Sequence, residues 1–126
     1  MSGGEGQRVR FARALLRPNV ALAILDEPFR GLDIDQRRTL LARARKHWAG
    51  STLLHISHDI AETMSFNRVL VVHEGRIVED GSPVELARDS VSRFSALLEA
   101  ERAVREGFWA SARWRRLRLQ DGVLVE

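Results

Sequence analysis

The chain has 126 residues, 44% of them hydrophobic, and a formal charge of +3, which suits one domain or part of one. It has no cysteine, so disulfides and thiolate metal sites are excluded. No apolar run reaches the roughly 18 residues that cross a bilayer, and Met1-Ser2-Gly3-Gly4-Glu5 lacks the charged and apolar regions of a signal peptide.

The first predicted element is a helix over residues 2–16, with Val9, Ala12 and Leu16 on one face and arginines mostly opposite. It ends at Arg17-Pro18-Asn19, because proline disfavours helix at the residue before it. Val20 to Leu25 is a continuous apolar run of strand length, the pattern of a strand buried on both faces. Asp26-Glu27-Pro28 stops it. A second helix is expected from about Ile34 to Trp48, capped by Asp33 or Asp35 and broken by Gly50.

Ser51 to Ser57 reads as a second strand, and Asp59 can cap a short helix through Met64. Val69 to Val72 is a third strand, turning at Glu74-Gly75 into residues 76–80 as a hairpin. Ser82-Pro83 starts another helix, with proline at its favoured first position. A longer amphipathic helix follows over about Val91 to Glu106, and a last hairpin alternates around Asp121-Gly122. Helices alternating with short apolar strands indicate an α/β sheet. Such sheets bind ligands beyond the carboxyl ends of their strands, where Asp26, Glu27 and His58 fall.

The chemistry-bearing residues are few. Asp26 and Glu27 face opposite ways if the strand continues, so one can hold a hydrated Mg²⁺ while the other orients an attacking water. A strand end reaching solvent is the plain alternative. Ser2-Gly3-Gly4 precedes a helix, where exposed N–H groups and the helix dipole favour an anion; an ordinary serine cap is the alternative there. His58 lies between a strand and a helix and can donate to a phosphate oxygen and to a carboxylate, or be a surface loop histidine. His47, His55 and His73 have no such positional argument and read as structural or solvated.

In combination and order these pieces resemble the ATPase domain of ABC transporters, over residues 1 to about 100. Ser2-Gly3-Gly4-Glu5-Gly6-Gln7-Arg8-Val9-Arg10-Phe11-Ala12-Arg13-Ala14-Leu15 resembles the signature motif and its helix. Leu22-Ala23-Ile24-Leu25-Asp26-Glu27-Pro28 resembles the Walker B strand with the catalytic glutamate, and Gly31-Leu32-Asp33 the D-loop. Ser57-His58-Asp59 is similar to the switch-histidine segment, and residues 69–81 to the hairpin after it.

The resemblance implies a partial P-loop NTPase fold, a mostly parallel sheet flanked by helices and lacking the P-loop strand. It divides the chain into 1–100, the C-terminal half of the ATPase domain, and 101–126, a basic Trp/Arg-rich tail with a hairpin. It also implies a function, coupling of ATP binding and hydrolysis to membrane transport, and a place at the cytoplasmic face of the membrane. Partners would be a second ABC ATPase domain and a transmembrane transporter domain, with no nucleic acid. The cofactors would be ATP and Mg²⁺. Ser2, Gly3 and Gly4 would contact an ATP held by the partner. Asp26 would hold Mg²⁺ through water, Glu27 would polarise the attacking water, His58 would link the γ-phosphate to Glu27, and Asp33 would communicate across the dimer.

The departures bear on function. Met1 stands where the signature usually opens with leucine, Glu5 where glutamine is commonest, and Arg30-Gly31 where the D-loop usually has serine and a small residue. No G-x-x-x-x-G-K-[ST] occurs, and the glutamine loop and adenine-stacking aromatic of the family are missing too. The isolated chain is therefore expected neither to bind nor to hydrolyse ATP. It is read as a fragment of a transporter ATPase, with a hairpin and a Val91–Leu98 helix that look more like an exporter's. The alternative is a non-catalytic half-domain that offers its signature and D-loop in trans to a complete ATPase. A non-transporter ATPase of the wider fold is a third possibility, opposed by the lack of a coiled-coil insertion or second cassette. Without the P-loop strand, the edge at Thr52 to Ile56 is expected to be apolar and unpaired. In the tail, Phe108, Trp109 and Trp114 lie among Arg102, Arg105, Arg113, Arg115, Arg116 and Arg118. Packing on the ATPase core, contact with a transmembrane partner or lipid, and stacking on single-stranded nucleic acid all fit that composition.

Overall fold

The computed structural model describes the backbone of residues 3–110, 118–120 and 123–125 and the side chains of residues 5–107. The chain forms two units, Met1–Glu62 and Thr63–Glu126.

The first unit opens with α1 (Gly3–Leu15) and continues to β1 (Leu22–Asp26), α2 (Ile34–His47) and β2 (Thr52–Ile56), with the short α3 (Ile60–Thr63) at its end. Strands β1 and β2 are parallel, with Leu22 opposite Thr52 and Asp26 opposite Ile56. Parallel strands need a crossover, and α2 supplies it. Of the two candidate caps, Asp33 is the one used: its carboxylate accepts the Gln36 N–H at 2.8 Å. Two further bonds fix the entry to β2, as Thr52 N–H donates to the Ala21 carbonyl at 2.9 Å and the Ser51 hydroxyl donates to the Val20 carbonyl.

Two expectations are corrected here. The covered face of α1 carries Phe11, which is buried, while Val9, Ala12 and Leu16 are exposed. Aromatic burial decides this: Phe11 meets Phe29 edge-on at 5.3 Å and Trp48 at 6.1 Å, and such rings carry more area than valine or alanine. Nor is β1 buried on both faces. Ala23 and Leu25 are buried with Phe29, Leu41, Ala44 and Trp48, whereas Leu22 and Ile24 are exposed. Register places Leu54 opposite Ile24 and Ile56 opposite Asp26, and both are also exposed. A continuous apolar run therefore produced alternating burial, as in a sheet covered on one side.

The second unit holds β3 (Val69–His73), β4 (Arg76–Gly81), α4 (Pro83–Arg88), α5 (Arg93–Ala110) and the strands β5 (Arg118–Gln120) and β6 (Val123–Val125). β3 and β4 form the expected hairpin, with a bulge between Val71 and Val72. Its two-residue turn has positive φ at Glu74 (49°) and Gly75 (73°), the signature of a type I′ turn that matches strand twist. Pro83 opens α4, as read from the sequence. The Glu79 carboxylate receives the N–H groups of Arg93 and Phe94 at the start of α5, so an orphan helix end is satisfied from the hairpin. Phe94 and Leu98 are buried on α5 and Val71 on β3. β5 and β6 pair antiparallel.

Among the described residues the parallel part is β1–β2 alone, and the other two strand pairs are antiparallel. The α/β character expected from the pattern is present, in small sheets rather than one mostly parallel sheet. Two of the three pairs are hairpins, whose short turns force antiparallel pairing. No helix among the described residues is long and apolar enough to cross a membrane.

Candidate functional site

The site lies at the carboxyl ends of β1 and β2, where an α/β sheet presents its ligand crevice. Asp26 is the last residue of β1 and is exposed. Glu27 keeps one more ladder bond, its N–H donating to the Ile56 carbonyl at 2.9 Å. The chain then turns sharply, with Glu27 at a φ of 44°. A non-glycine residue in that region costs about 1–2 kcal/mol. Such strain persists where surrounding structure enforces it, as it does at many active sites.

The Glu27 side chain points at the turn after β2. Its carboxylate accepts the His58 N–H at 2.9 Å and lies 3.4 Å from His58 Nε2. The His58 ring is otherwise 96% exposed, while Glu27 is mostly covered. A carboxylate is thereby oriented by the backbone of the histidine residue, and the exposed imidazole lies against the same carboxylate.

Beneath this turn runs a chain of bonds. The Ser57 hydroxyl donates to Glu62 Oε2 at 2.9 Å and accepts the Asp59 N–H at 3.1 Å. Asp59 Oδ1 accepts the Glu62 N–H at 3.1 Å, capping α3, and Asp59 Oδ2 meets Arg37 of α2 at 3.1 Å. His55 Nε2 lies 3.0 Å from Glu62 Oε2. The hydrogen bond with His55, helped by Ser57 and by the charges of His55 and Arg37, holds the Glu62 carboxyl below its ordinary value against the opposing effect of burial.

Of the residues singled out by sequence, Asp26, Glu27 and His58 come to one end of one strand pair. Asp33 sits at the head of α2 with its carboxylate engaged as a cap. Gly3 and Gly4 begin α1, and Ser2 lies outside the described residues, as do the side chains of Phe108, Trp109 and Trp114. His55, Ser57, Asp59, Glu62 and Arg37 were not recognised as a group. The spacing Asp59-x-x-Glu62, a capping-box pattern, was the available signal.

The carboxylates fit a Mg²⁺ only as an outer partner. Among the described residues no three His, Asp or Glu side chains are grouped to hold a metal. Mg²⁺ nevertheless binds through one or two carboxylates plus water and phosphate, and exposed Asp26 supplies one. A cleft beside it, lined by Gln7, Arg10, Phe11, Ile24, Asp26 and Pro28, has a volume of about 190 Å³. Pockets that enclose a small ligand start at roughly 300 Å³, so this cleft is too small to enclose a nucleotide.

No family model matches the chain. Curated proteins do. An Fe(3+) ions import ATP-binding protein of Streptomyces avermitilis is 40% identical over 99 residues, which are 76% of this chain and 28% of that protein. A glutathione/L-cysteine transport system ATP-binding/permease protein of Haemophilus influenzae is 33% identical over 99 residues, 79% of this chain and 17% of that one. Among solved structures, a bacterial Atm1-family ABC exporter with ATP bound superposes with a TM-score of 0.75 at 28% identity, over 82% of this chain and 18% of that chain. The chain thus spans less than a third of each of these relatives. Over about three quarters of its length it is a homologue of the ATP-binding proteins of ABC transporters.

Proposed function

We propose that this chain is the C-terminal half of an ABC transporter ATPase domain, coupling ATP binding and hydrolysis to transport once a phosphate-binding loop is provided. The observation that carries this is the Glu27–His58 contact at the carboxyl end of β1 and β2, beside Asp26. In this reading Glu27 polarises the attacking water and His58 links the γ-phosphate to Glu27. Asp26 would hold Mg²⁺ through water, and the ion would supply charge neutralisation at the phosphates. Ser2, Gly3 and Gly4 face an ATP on a partner ATPase domain, Asp33 communicates across that pair, and the assembly sits on a transmembrane domain at the cytoplasmic face of the membrane. The ATPase part runs to about residue 100 and the basic tail follows. Importers and exporters both match, so the reading carries no transport direction.

The isolated chain does not bind ATP usefully in this reading. A P-loop surrounds the β- and γ-phosphates with several N–H donors and a lysine; the residues here supply only water and Mg²⁺ positioning. Titration calorimetry of the pure chain with Mg-ATP should give a millimolar dissociation constant or no binding. Low-micromolar binding would refute the reading, as would a chain fused behind a P-loop-bearing half that still binds nothing.

A further inference from the structure

Glu62 stands at the third position of α3, three residues after its cap Asp59. In a capping box that side chain reaches back to the cap's own N–H. Here it does not: Ser57 Oγ takes the Asp59 N–H at 3.1 Å, and the Glu62 carboxylate takes Ser57 Oγ at 2.9 Å. Ser57 and Asp59 are the two residues flanking His58. The His58 N–H is directed instead to Glu27 at 2.9 Å, and its ring Nε2 lies 3.4 Å from that same carboxylate.

We propose that Glu62 is a positioning residue for His58: it holds Ser57, Ser57 holds the Asp59 N–H, and the turn between them is fixed so that the His58 N–H meets Glu27. The Arg37–Asp59 pair at 3.1 Å ties the same turn to α2, and His55 braces the other side of the Glu62 carboxylate at 3.0 Å. The reason His58 must be so placed rests on the function proposed above; the placement itself does not, and it can be measured without nucleotide.

The test uses the ¹⁵N-labelled full chain. Glu27→Ala defines how far the His58 amide resonance moves, and how much faster it exchanges, when its acceptor is lost. Ser57→Ala and Glu62→Ala are expected to move that resonance in the same direction and to speed its exchange about tenfold, the scale of one lost hydrogen bond. The indole resonance of buried Trp48 reports that the unit is still folded, and Glu101→Ala on α5 is the control for an unrelated carboxylate. If Glu62→Ala unfolds the unit, Ser57→Ala, which removes a single hydroxyl, decides alone. A His58 amide that stays with the Glu101→Ala control in Ser57→Ala overturns the proposal. ATP-binding results bear only on the function, so the two readings can fail separately.

Discussion

The two units solve the same backbone problem differently. In the hairpin of the second unit, left-handed geometry falls at Glu74 and Gly75, and glycine takes the larger φ of 73°. In the first unit it falls at Asn19 (55°), at Gly31 (83°) and at Glu27, a residue with a functional side chain to hold, at 44°. The hairpin turn is set by its own two residues. The Glu27 turn is set from outside, by the ladder bond to Ile56 and by the His58 N–H. Each turn holds one glutamate at positive φ, but the hairpin shares the reversal with an adjacent glycine, whereas the turn that presents the Glu27 carboxylate relies on neighbours to maintain it.

The largest test of this contrast concerns whether the units are separable. Trp48→Ala should destabilise the first unit by about 3–5 kcal/mol, while amides of β3 and β4 keep their protection in hydrogen exchange. Phe94→Ala should do the reverse. Joint collapse in both variants would show that the units stabilise one another and that the comparison is artificial.

A smaller effect separates the two turns. Gly75→Ala should cost the second unit about 1 kcal/mol, because alanine must then hold a positive φ. Glu27→Gly should shift the first unit by less than about 0.5 kcal/mol. Relief of strain is there opposed by glycine's freedom in the unfolded chain and by loss of the bond from His58. Equal losses in the two variants, read by denaturant unfolding, would break the distinction.

The smallest effect is acid sensitivity. Glu62 and Asp80 are both held below their ordinary values, Glu62 chiefly by its bond with His55 and Asp80 by its bond with Arg68. A lowered carboxyl contributes stability above its unfolded value, and that contribution is lost as the pH falls through the lowered one. For Glu62 the loss therefore begins below the ordinary value of 4.5. Added salt should erase the contribution of exposed Asp80 and spare that of half-buried Glu62. Acid titrations of Glu62→Gln and Asp80→Asn at low and high salt check this; equal salt sensitivity would count against it.

Much of this architecture was legible in the residues. The strand ends, read at Leu25 and Ser57 and found one residue away at Asp26 and Ile56, the cap narrowed to Asp33 or Asp35, the Glu74-Gly75 turn and Pro83 at a helix start all follow from local rules that act within a few positions. Phe11 was missed as the anchor of α1 because the helical pattern weighs residues equally, while the ring contacts with Phe29 and Trp48 join positions far apart in sequence. The exposed Leu22 and Ile24 were missed because an apolar run carries no mark of which face is covered. At the site, Glu27 and His58 were legible by position. The Glu62 relay was not, since it depends on where a capping side chain points, and His55 read as structural or solvated without its partner.

One consequence follows from Glu27 being the final rung of the parallel pair. Its location is a count along β1, so deleting or inserting one residue between Leu22 and Asp26 would keep a strand of the same composition yet exchange its two faces. Ala23 and Leu25 would turn outward, and the acidic pair would arrive one step early or late against His58. Length polymorphism in this strand should therefore be far less tolerated than substitution.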